Sequence, residues 1–226
     1  MADRDRFERG LARDAANFQP LSPLGFLDWA ATTFPDKLAV VDGDDRFTYR
    51  TFAERCRRLA GALRARGLGE GDVVSVLAPN SPALLEAHYG VPLAGAVLNA
   101  LNTRLDPKSI AYILAHAETA LLVCDAALLD VAEAALVAMD APPALVVAGG
   151  PDDGYEALLR DAEPTPITLP DDEWRALSLC YTSGTTGKPK GAVYHHRGAF
   201  LNAMGNALVF GLGPDSVYLW TLPMFH

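Results

Sequence analysis

The chain has 226 residues, half of them apolar, which is enough to bury the core of one large domain or two small ones. Lysine and arginine number 19 against 28 aspartate and glutamate residues, so the formal net charge is -9. An acidic chain has no broad positive field for nucleic acid or an anionic membrane, so the charge argues against both partners. Any anionic ligand must be held locally.

The cysteines and the amino terminus provide evidence on where in the cell the protein is found. Cys56, Cys124 and Cys180 are far apart and show no CxxC spacing, which predicts reduced thiols rather than a metal site or a disulfide framework. The amino terminus is charged, and no apolar run reaches membrane-spanning length. We therefore predict a cytoplasmic protein without a membrane span. A homodimer is left open.

The first part of the chain predicts a helix, a hairpin and a second helix. Residues 24–34 have a helical apolar pattern, and residues 38–41 and 47–49 predict two short strands. Thr51 and Glu54 have the spacing of a capping box at the start of the second helix. The arginines of this helix predict a solvated face: Arg55, Arg57, Arg58, Arg64 and Arg66.

The middle of the chain alternates apolar strands with helices. Strands are predicted for residues 73–77, 97–98, 121–124 and 145–147. Helices are predicted to begin at Asn80-Ser81-Pro82, continuing through Tyr89, and at Asp106-Pro107, and another covers residues 128–139. Strands without polar alternation, separated by amphipathic helices, predict an α/β fold with a doubly wound parallel sheet and covering helices.

A stretch rich in proline, glycine and acidic residues covers residues 149–172 and predicts a connection. We place a boundary there. The first α/β subdomain, with its amino-terminal helix and hairpin, then covers residues 1–170. The start of a second subdomain covers residues 171–226.

A strand predicted for residues 176–181 leads into the segment TSGTTGKPKG. Glycine lets backbone N–H groups approach a phosphate, and hydroxyls and lysines add donors and charge. The composition alone also fits a flexible polar turn. A Walker loop is excluded, because only two residues separate Gly184 from Gly187 and Pro189 follows Lys188. Residues 192–194 predict a second strand, so the segment joins two strands, and a helix follows from about residue 197 to 209.

These residues carry a family resemblance. YTSGTTGKPKG, followed by VYHHRGAF, resembles the phosphate-loop signature of the adenylate-forming superfamily of acyl-CoA synthetases, non-ribosomal peptide adenylation domains and firefly luciferase. The segments SPLGFLDWAATTFPDKLAVV, VLNALNTRLDPKSIAYILAHAE and LPMFH are similar to those of fatty-acyl and related acyl-CoA ligases. The resemblance spans nearly the whole chain from about Leu21.

The resemblance implies an activity. Such enzymes condense a carboxylic acid, here a fatty or aromatic one, with ATP to form an acyl-adenylate. They then pass the acyl group to a thiol, usually that of coenzyme A. ATP, Mg²⁺ and coenzyme A are therefore the implied cofactors and cosubstrates, and fatty acid metabolism is the implied setting.

The resemblance also implies residue roles. The residues that would bind the ATP phosphates are Thr182, Ser183, Gly184, Thr185, Thr186, Gly187 and Lys190. Thr182 also resembles the hydroxyl that helps to hold Mg²⁺, and Lys190 resembles the catalytic cation beside the loop or the pyrophosphate. Lys188 lies where the family accepts other residues, which argues against an essential role. His226 resembles the histidine that borders the acyl and adenylate pocket.

Other conspicuous residues have structural interpretations. His195 and His196 are predicted to settle a strand-to-helix turn, because no carboxylate is in place to orient a catalytic histidine. Met204, Phe210 and Trp220 are predicted to lie in the core.

Complete members of the superfamily are several hundred residues long, and their later adenine, ribose, acidic and lysine motifs are not in this sequence. We therefore expect this polypeptide alone not to form an adenylate, and apolar surface after the loop to stay uncovered. Two alternatives are an amino-acid adenylation or luciferase-like relative, and a non-catalytic nucleotide-binding or interaction protein.

Overall fold

The computed structural model describes residues 7–182 and 189–226. Its helices are α1 (Leu24–Thr33), α2 (Tyr49–Ala65), α3 (Pro82–Ala94), α4 (Pro107–His116), α5 (Leu129–Val137), α6 (Gly154–Arg160) and α7 (His196–Phe210). Its strands are β1 (Leu38–Asp42), β2 (Asp45–Thr48), β3 (Val73–Leu77), β4 (Val97–Ala100), β5 (Thr119–Asp125), β6 (Ala144–Ala148), β7 (Ala176–Thr182) and β8 (Lys190–His195). Strands β1 and β2 form an antiparallel pair, and the others form one six-stranded sheet.

The large sheet has the strand order β6-β5-β3-β4-β7-β8, and every neighbouring pair is parallel except β7 and β8. Alternate side chains of a strand point to opposite faces. Val74 and Val76 of β3 therefore join the core formed with α2, α3 and α6, whereas Leu77 joins the core formed with α4 and α5. Helices on both faces confirm the predicted doubly wound α/β fold.

The predicted subdomain boundary falls close to a strand of this same sheet. β7 follows the predicted boundary and pairs with β4 through Leu98 and Ser178, and through Asn99 and Leu179. The first strand of the predicted second subdomain thus continues the sheet of the first. A boundary at residue 170 stays a prediction.

Helix starts follow their predicted signals closely. Ser81 and Asp106 each accept a hydrogen bond from the backbone N–H three residues further on, at 3.4 Å and 3.0 Å, and each precedes a proline in the first turn. Helix α3 runs beyond Tyr89 because its stop signal is Gly95, whose φ of 96° lies in the left-handed region that favours glycine.

The start of α2 differs from the prediction. Thr48, not Thr51, caps the helix, and its hydroxyl accepts from the backbone N–H of Thr51 at 3.2 Å. The helix follows β2 without a connecting loop, so its cap is the last residue of that strand. Glu54 pairs with Arg57 and Arg58 one turn along, at 3.2 Å and 3.0 Å, instead of closing a capping box.

The predicted solvated arginine face of α2 is confirmed for Arg64 and Arg66, which are exposed, and is wrong for Arg55, Arg57 and Arg58, which are partly buried. Arg55 donates to Glu86 of α3, with 2.5 Å between Nε and Oε1. Arg57 donates to the carbonyl of Thr165 at 2.7 Å, and Arg64 donates to a carbonyl at the end of α3. Neighbouring elements present carbonyl and carboxylate oxygens to this face, and such groups need donors once they leave water.

The connection at residues 149–172 contains a helix and packs on the domain. Tyr155 of α6 is fully buried, and the backbone N–H of Thr165 donates to the carbonyl of Arg57 at 3.1 Å. The segment is therefore held against α2. The sequence prediction missed the short helix α6, which Asp153 caps, because proline, glycine and acidic residues around it are typical of a connection.

The predicted burial of three large side chains is wrong in this chain. Met204, Phe210 and Trp220 are 39, 72 and 44% exposed. Helix α7 contacts the rest of the chain through its first turns, where Phe200 stacks on Phe26 at 4.7 Å. The expectation that apolar surface after the loop stays uncovered is confirmed for the described residues.

The cysteines and the membrane question can be stated briefly. All three cysteines are free thiols. Burial raises the pKa of Cys124 to about 12, which makes its thiol unreactive. Within residues 7–182 and 189–226, no helix is long and apolar enough to cross a membrane.

Candidate functional site

The two ends of the predicted phosphate loop face each other. Thr182 ends β7 and Lys190 begins β8, and the two residues are paired in the antiparallel register. Both are exposed. The predicted strands on either side of the loop segment are therefore confirmed as an antiparallel pair. The remaining predicted loop residues lie outside the described part of the chain, and their roles stay predictions: Ser183, Gly184, Thr185, Thr186, Gly187 and Lys188.

The loop leaves the sheet at a chemically suitable edge. Because β3, β4 and β7 are parallel, Thr182 lies at the same edge as the residues that follow β3 and β4. Ligands of open α/β sheets bind outside the carboxyl ends of the strands. The sheet therefore places Thr182 and, across the hairpin, Lys190 at the edge where open α/β sheets bind their ligands.

The far end of the hairpin is held by two histidines. His195 accepts from the backbone N–H of Gly198 at 3.0 Å and so caps α7. His196 is buried, with its Nδ1 atom 2.9 Å from the hydroxyl of Ser22. Burial, with nearby Arg175 and His195, lowers the pKa of His196 to about 4. The predicted structural role of both histidines is confirmed by these contacts.

The segment that contains His226 returns to the same edge of the sheet. Met224 and Phe225 are buried, whereas His226 is exposed and its ring lies 4.6 Å from that of Phe225. The thiol of Cys180, two residues before Thr182 on β7, lies 3.9 Å from the carbonyl of Phe225. The fold thus places this segment against the strand that carries the loop. A pocket role for His226 stays a prediction.

Sequence reasoning missed the residues that hold this segment. Asn80 contacts its main chain twice, and His88 of α3 lies beneath it with Nδ1 2.8 Å from the carbonyl of Leu84. Burial lowers the pKa of His88, so its ring is neutral at pH 7. The sequence marks Asn80 only as part of a helix start. A position just after a parallel strand was the signal that could have found it.

The described residues at the loop include one oxygen of the kind that Mg²⁺ accepts. Among the described residues, no three His, Cys, Asp or Glu side chains are grouped to hold a metal. Mg²⁺ prefers oxygen, keeps several waters and is bound by substrate phosphates with one or two protein oxygens. The exposed hydroxyl of Thr182 is chemically suited to be one such protein oxygen, and its role in holding Mg²⁺ stays a prediction.

The mostly parallel sheet, with the segment TSGTTGKPKG between β7 and β8 at its carboxyl edge, defines a doubly wound α/β protein outside the Walker class. The model of the AMP-binding enzyme family matches residues 27–226. The chain belongs to this family of adenylate-forming ligases.

Curated relatives agree with this assignment. The chain is 42% identical over 238 aligned residues to the peroxisomal acetate/butyrate–CoA ligase of Arabidopsis thaliana. It is 41% identical to the acetate–CoA ligase of Humulus lupulus and to the peroxisomal trans-cinnamate:CoA ligase of Petunia hybrida. Each alignment covers 96% of the chain and 42% of the relative. The chain therefore spans less than half the length of these relatives.

Solved structures share the fold. The benzoate CoA ligase of Burkholderia xenovorans LB400 superposes with a TM-score of 0.73 at 26% identity, covering 81% of this chain and 36% of that one. A long-chain-fatty-acid-CoA ligase of Archaeoglobus fulgidus superposes with a TM-score of 0.83 at 22% identity, covering 92% and 44%. The second likeness concerns the fold alone.

The relatives contradict the predicted cytoplasmic location. The acetate/butyrate, trans-cinnamate and benzoate ligases are named as peroxisomal proteins. The prediction was wrong because it rested on charge and the lack of an apolar leader. A peroxisomal address is a short signal read by a receptor, and it leaves composition unchanged.

Proposed function

We propose that the protein activates a carboxylic acid with ATP and transfers the acyl group to coenzyme A. The observation that carries the proposal is the segment TSGTTGKPKG between β7 and β8, in a chain that aligns over 96% of its length with a CoA ligase. No other motif in the sequence calls for different chemistry.

The proposed reaction has two steps. A carboxylate oxygen of the acid attacks the α-phosphorus of ATP, and the bond to the bridging oxygen of pyrophosphate breaks. The thiol of coenzyme A then attacks the acyl carbon, AMP leaves with the bonding electrons, and the thiol proton passes to solvent. The first step builds negative charge on pyrophosphate, so donors and cations near the β and γ phosphates stabilise its transition state.

The described residues supply part of that stabilisation in this proposal. Lys190 places a cation at one end of the loop, and Thr182 places a hydroxyl at the other. Mg²⁺ bound with ATP would add positive charge beside the leaving group, and Thr182 would contribute one ligand to it. Fixed donors cost little reorganisation during the reaction, which is the advantage of holding them on paired strands.

The acid that we propose is a monocarboxylate with an apolar fatty or aromatic tail. Named relatives act on acetate or butyrate, trans-cinnamate and benzoate. The buried Phe225 beside His226 is consistent with an apolar lining near the loop strand. Fatty acid metabolism is the corresponding setting.

Acid-dependent exchange of labelled pyrophosphate into ATP tests the proposal. The panel is acetate, butyrate, benzoate, trans-cinnamate, a long-chain fatty acid and the proteinogenic amino acids, assayed with the intact gene product and Mg²⁺. We expect exchange with at least one of the carboxylic acids and thioester formation when coenzyme A is added. Exchange with amino acids alone would favour amino-acid adenylation. Nucleotide binding without any exchange would favour the non-catalytic alternative.

We also propose that the 226-residue polypeptide by itself forms no adenylate, since it spans 42% of the ligase that it matches over 96% of its own length. The same exchange assay on a purified chain that ends at His226 tests this. Acid-dependent exchange by that polypeptide would overturn the proposal of inactivity while supporting the proposed reaction.

A further inference from the structure

The last residues of the chain form an irregular segment whose main chain needs partners. Residues 221–226 belong to no helix or strand, yet Met224 and Phe225 are 9 and 8% exposed. A buried backbone polar group without a partner is costly, which applies to the N–H of Met224, whereas Leu222 is 65% exposed. Side chains that bond to the main chain of such a segment fix its course.

Asn80 supplies the partners through both ends of its side-chain amide. Its Oδ1 atom accepts from the backbone N–H of Met224 at 2.8 Å, and its Nδ2 atom donates to the carbonyl of Leu222 at 2.8 Å. The amide therefore bonds two residues at i and i+2, as a neighbouring β-strand would. Such a two-point contact fixes both position and direction of the segment.

Asn80 is not needed for the local turn. Ser81 caps α3 and accepts from the backbone N–H of Leu84. The amide of Asn80 is therefore directed to a segment that lies more than 140 residues away in sequence. Local helix geometry does not account for that choice of side chain.

Other contacts bind the same segment less directionally. The side chain of Met224 packs in the core shared with Leu84 and Ala87 of α3. A main-chain hydrogen bond at Met224 reaches His88. Apolar burial fixes the depth of the segment but not its rotation, and His88 contacts it only at Met224. Asn80 bonds two of its residues, so the bonds of Asn80 contribute most to how Phe225 and His226 are oriented next to β7.

We infer that Asn80 is a positioning residue for the acid: by clamping Leu222 and Met224, it sets the orientation of Phe225 and His226 beside the loop strand. The inference rests on the proposed function, because it assigns these two side chains to the acyl pocket. Asn80, on the connection between β3 and α3, is thereby added to the residues that shape the proposed acyl pocket, alongside residues 221–226.

The test compares Asn80→Ala and Asn80→Asp with Asn17→Ala in the intact gene product. Asn17 is a matched control because its amide also bonds two main-chain groups, those of Ala12 and Asp14, in an exposed turn near the amino terminus. Pyrophosphate exchange gives KM separately for the acid and for ATP. Hydrogen exchange of peptides covering residues 220–226 reports on the clamp independently of activity.

For Asn80→Ala we expect the KM for the acid to rise about tenfold, as loss of two ordinary hydrogen bonds implies, with KM for ATP changed less than about twofold. Asn80→Asp keeps the acceptor for Met224 but sets a carboxylate against the carbonyl of Leu222, so it should not restore the wild-type KM. Hydrogen exchange at residues 220–226 should accelerate in both variants, and Asn17→Ala should match wild type.

Two results would overturn the inference. Faster hydrogen exchange with an unchanged KM for the acid would leave Asn80 a structural clamp only. Equal increases in both KM values, with a lowered unfolding temperature, would indicate general damage. Failure of the proposed function is a separate result, namely no exchange by wild type with any acid, and it would remove the positioning role even if the clamp itself is seen by hydrogen exchange.

Discussion

The Nδ1 atom of His116 lies 2.7 Å from the phenolic oxygen of Tyr181. This hydrogen bond joins the end of α4 to β7 one residue before Thr182. Across the hairpin, the ring of Tyr181 lies against Gly191, where a Cβ atom would stand 3.1 Å from the ring. Both strands that carry the loop are therefore tied to α4 through one side chain.

Loss of this hydrogen bond should weaken ATP binding. Tyr181→Phe keeps the ring and removes the hydroxyl, so we expect the KM for ATP to rise about 2- to 10-fold, the range for one net hydrogen bond. His116→Ala should act through the same bond, and the double variant should add little to either single one. Tyr194→Phe, which alters an exposed tyrosine on β8, is the control. Strictly additive effects in the double variant would contradict the coupling.

Replacement of Lys190 should impair adenylation without unfolding the protein. The side chain is exposed at the start of β8, so truncation removes charge but little packing. We expect Lys190→Ala to lower kcat/KM for pyrophosphate exchange about 100-fold, as for loss of one fixed transition-state donor. Circular dichroism and the unfolding temperature should stay at wild-type values. Lys188→Ala is the control, and equal losses in both variants would remove the special role of Lys190.

Among arginine substitutions in α2, one that breaks the buried Arg55–Glu86 ion pair should lower the free energy of unfolding more than one at an exposed pair. Glu86 is fully buried and accepts from Arg55 and from the hydroxyl of Tyr155, the latter at 2.8 Å. Burial raises the pKa of Glu86, while the Arg55 guanidinium opposes that shift. Arg55→Met would leave this carboxylate without its main partner, so we expect the free energy of unfolding to fall by about 3–5 kcal/mol.

Arg50→Met provides the comparison in the same helix. Arg50 pairs with Asp36 at 3.0 Å, but both side chains are largely exposed. Exposed pairs contribute about 0–1 kcal/mol. Urea unfolding of the two variants should therefore separate them by several kcal/mol, and similar losses would show that the buried pair has no special weight.

Apolar runs predicted most of the strands and helix-start signals predicted most of the helices, because both kinds of signal depend only on residues close in sequence. Ser81 and Asp106 cap helices where the sequence places them. Contacts between distant elements could not be predicted. Arg55 and Arg57 of α2 were predicted to be solvated because the residues around them in sequence do not indicate that Glu86 and the carbonyl of Thr165 lie next to them in the fold.

The candidate site divides in the same way. Thr182 and Lys190 follow from a local motif, and the register of β7 and β8 confirms that they face each other. Asn80 depends on a segment more than 140 residues away, and no spacing rule reaches that far. The predicted burial of Phe210 was wrong for a different reason. An apolar side chain is buried only where another surface packs on it, and Phe210 is exposed.

Gly61 of α2 lies against the backbone of the 149–172 connection. A Cβ atom on Gly61 would lie 1.9 Å from the carbonyl oxygen of Glu163, a backbone atom that cannot move alone. Gly61→Ala must therefore push the connection away and strain the bonds between Arg57 and Thr165. We expect the free energy of unfolding to fall by about 3 kcal/mol, at the upper end of overpacking costs.

Gly205→Ala is the matched helical control. No atom of the described residues lies within 4 Å of a Cβ built at Gly205, which lies in α7. Alanine in a helix interior is more favourable than glycine by about 0.5–1 kcal/mol. The two alanine variants should shift the urea midpoint in opposite directions, and a neutral Gly61→Ala would show that the connection is loosely attached.

Acid should destabilise the attachment of α7 through His196. Its ring is buried beside Ser22, and its pKa in the fold is about 4 against about 6.5 in an unfolded chain. Between these two pKa values the unfolded chain binds a proton that the folded chain does not. The contribution of His196 to the free energy of unfolding is therefore fully present above pH 6.5 and is lost as the pH falls toward 4. Solvent screening reduces the full effect, and we expect a loss of about 1–2 kcal/mol.

His196→Gln should remove this part of the pH dependence while keeping a polar group near Ser22. The measurement is the free energy of urea unfolding at pH 7.5 and pH 4.5. The difference between the two pH values should be smaller in His196→Gln than in wild type by about 1–2 kcal/mol. His88, whose pKa burial also lowers, accounts for a remaining slope of the same sign. Equal slopes in wild type and His196→Gln would contradict the assignment to His196.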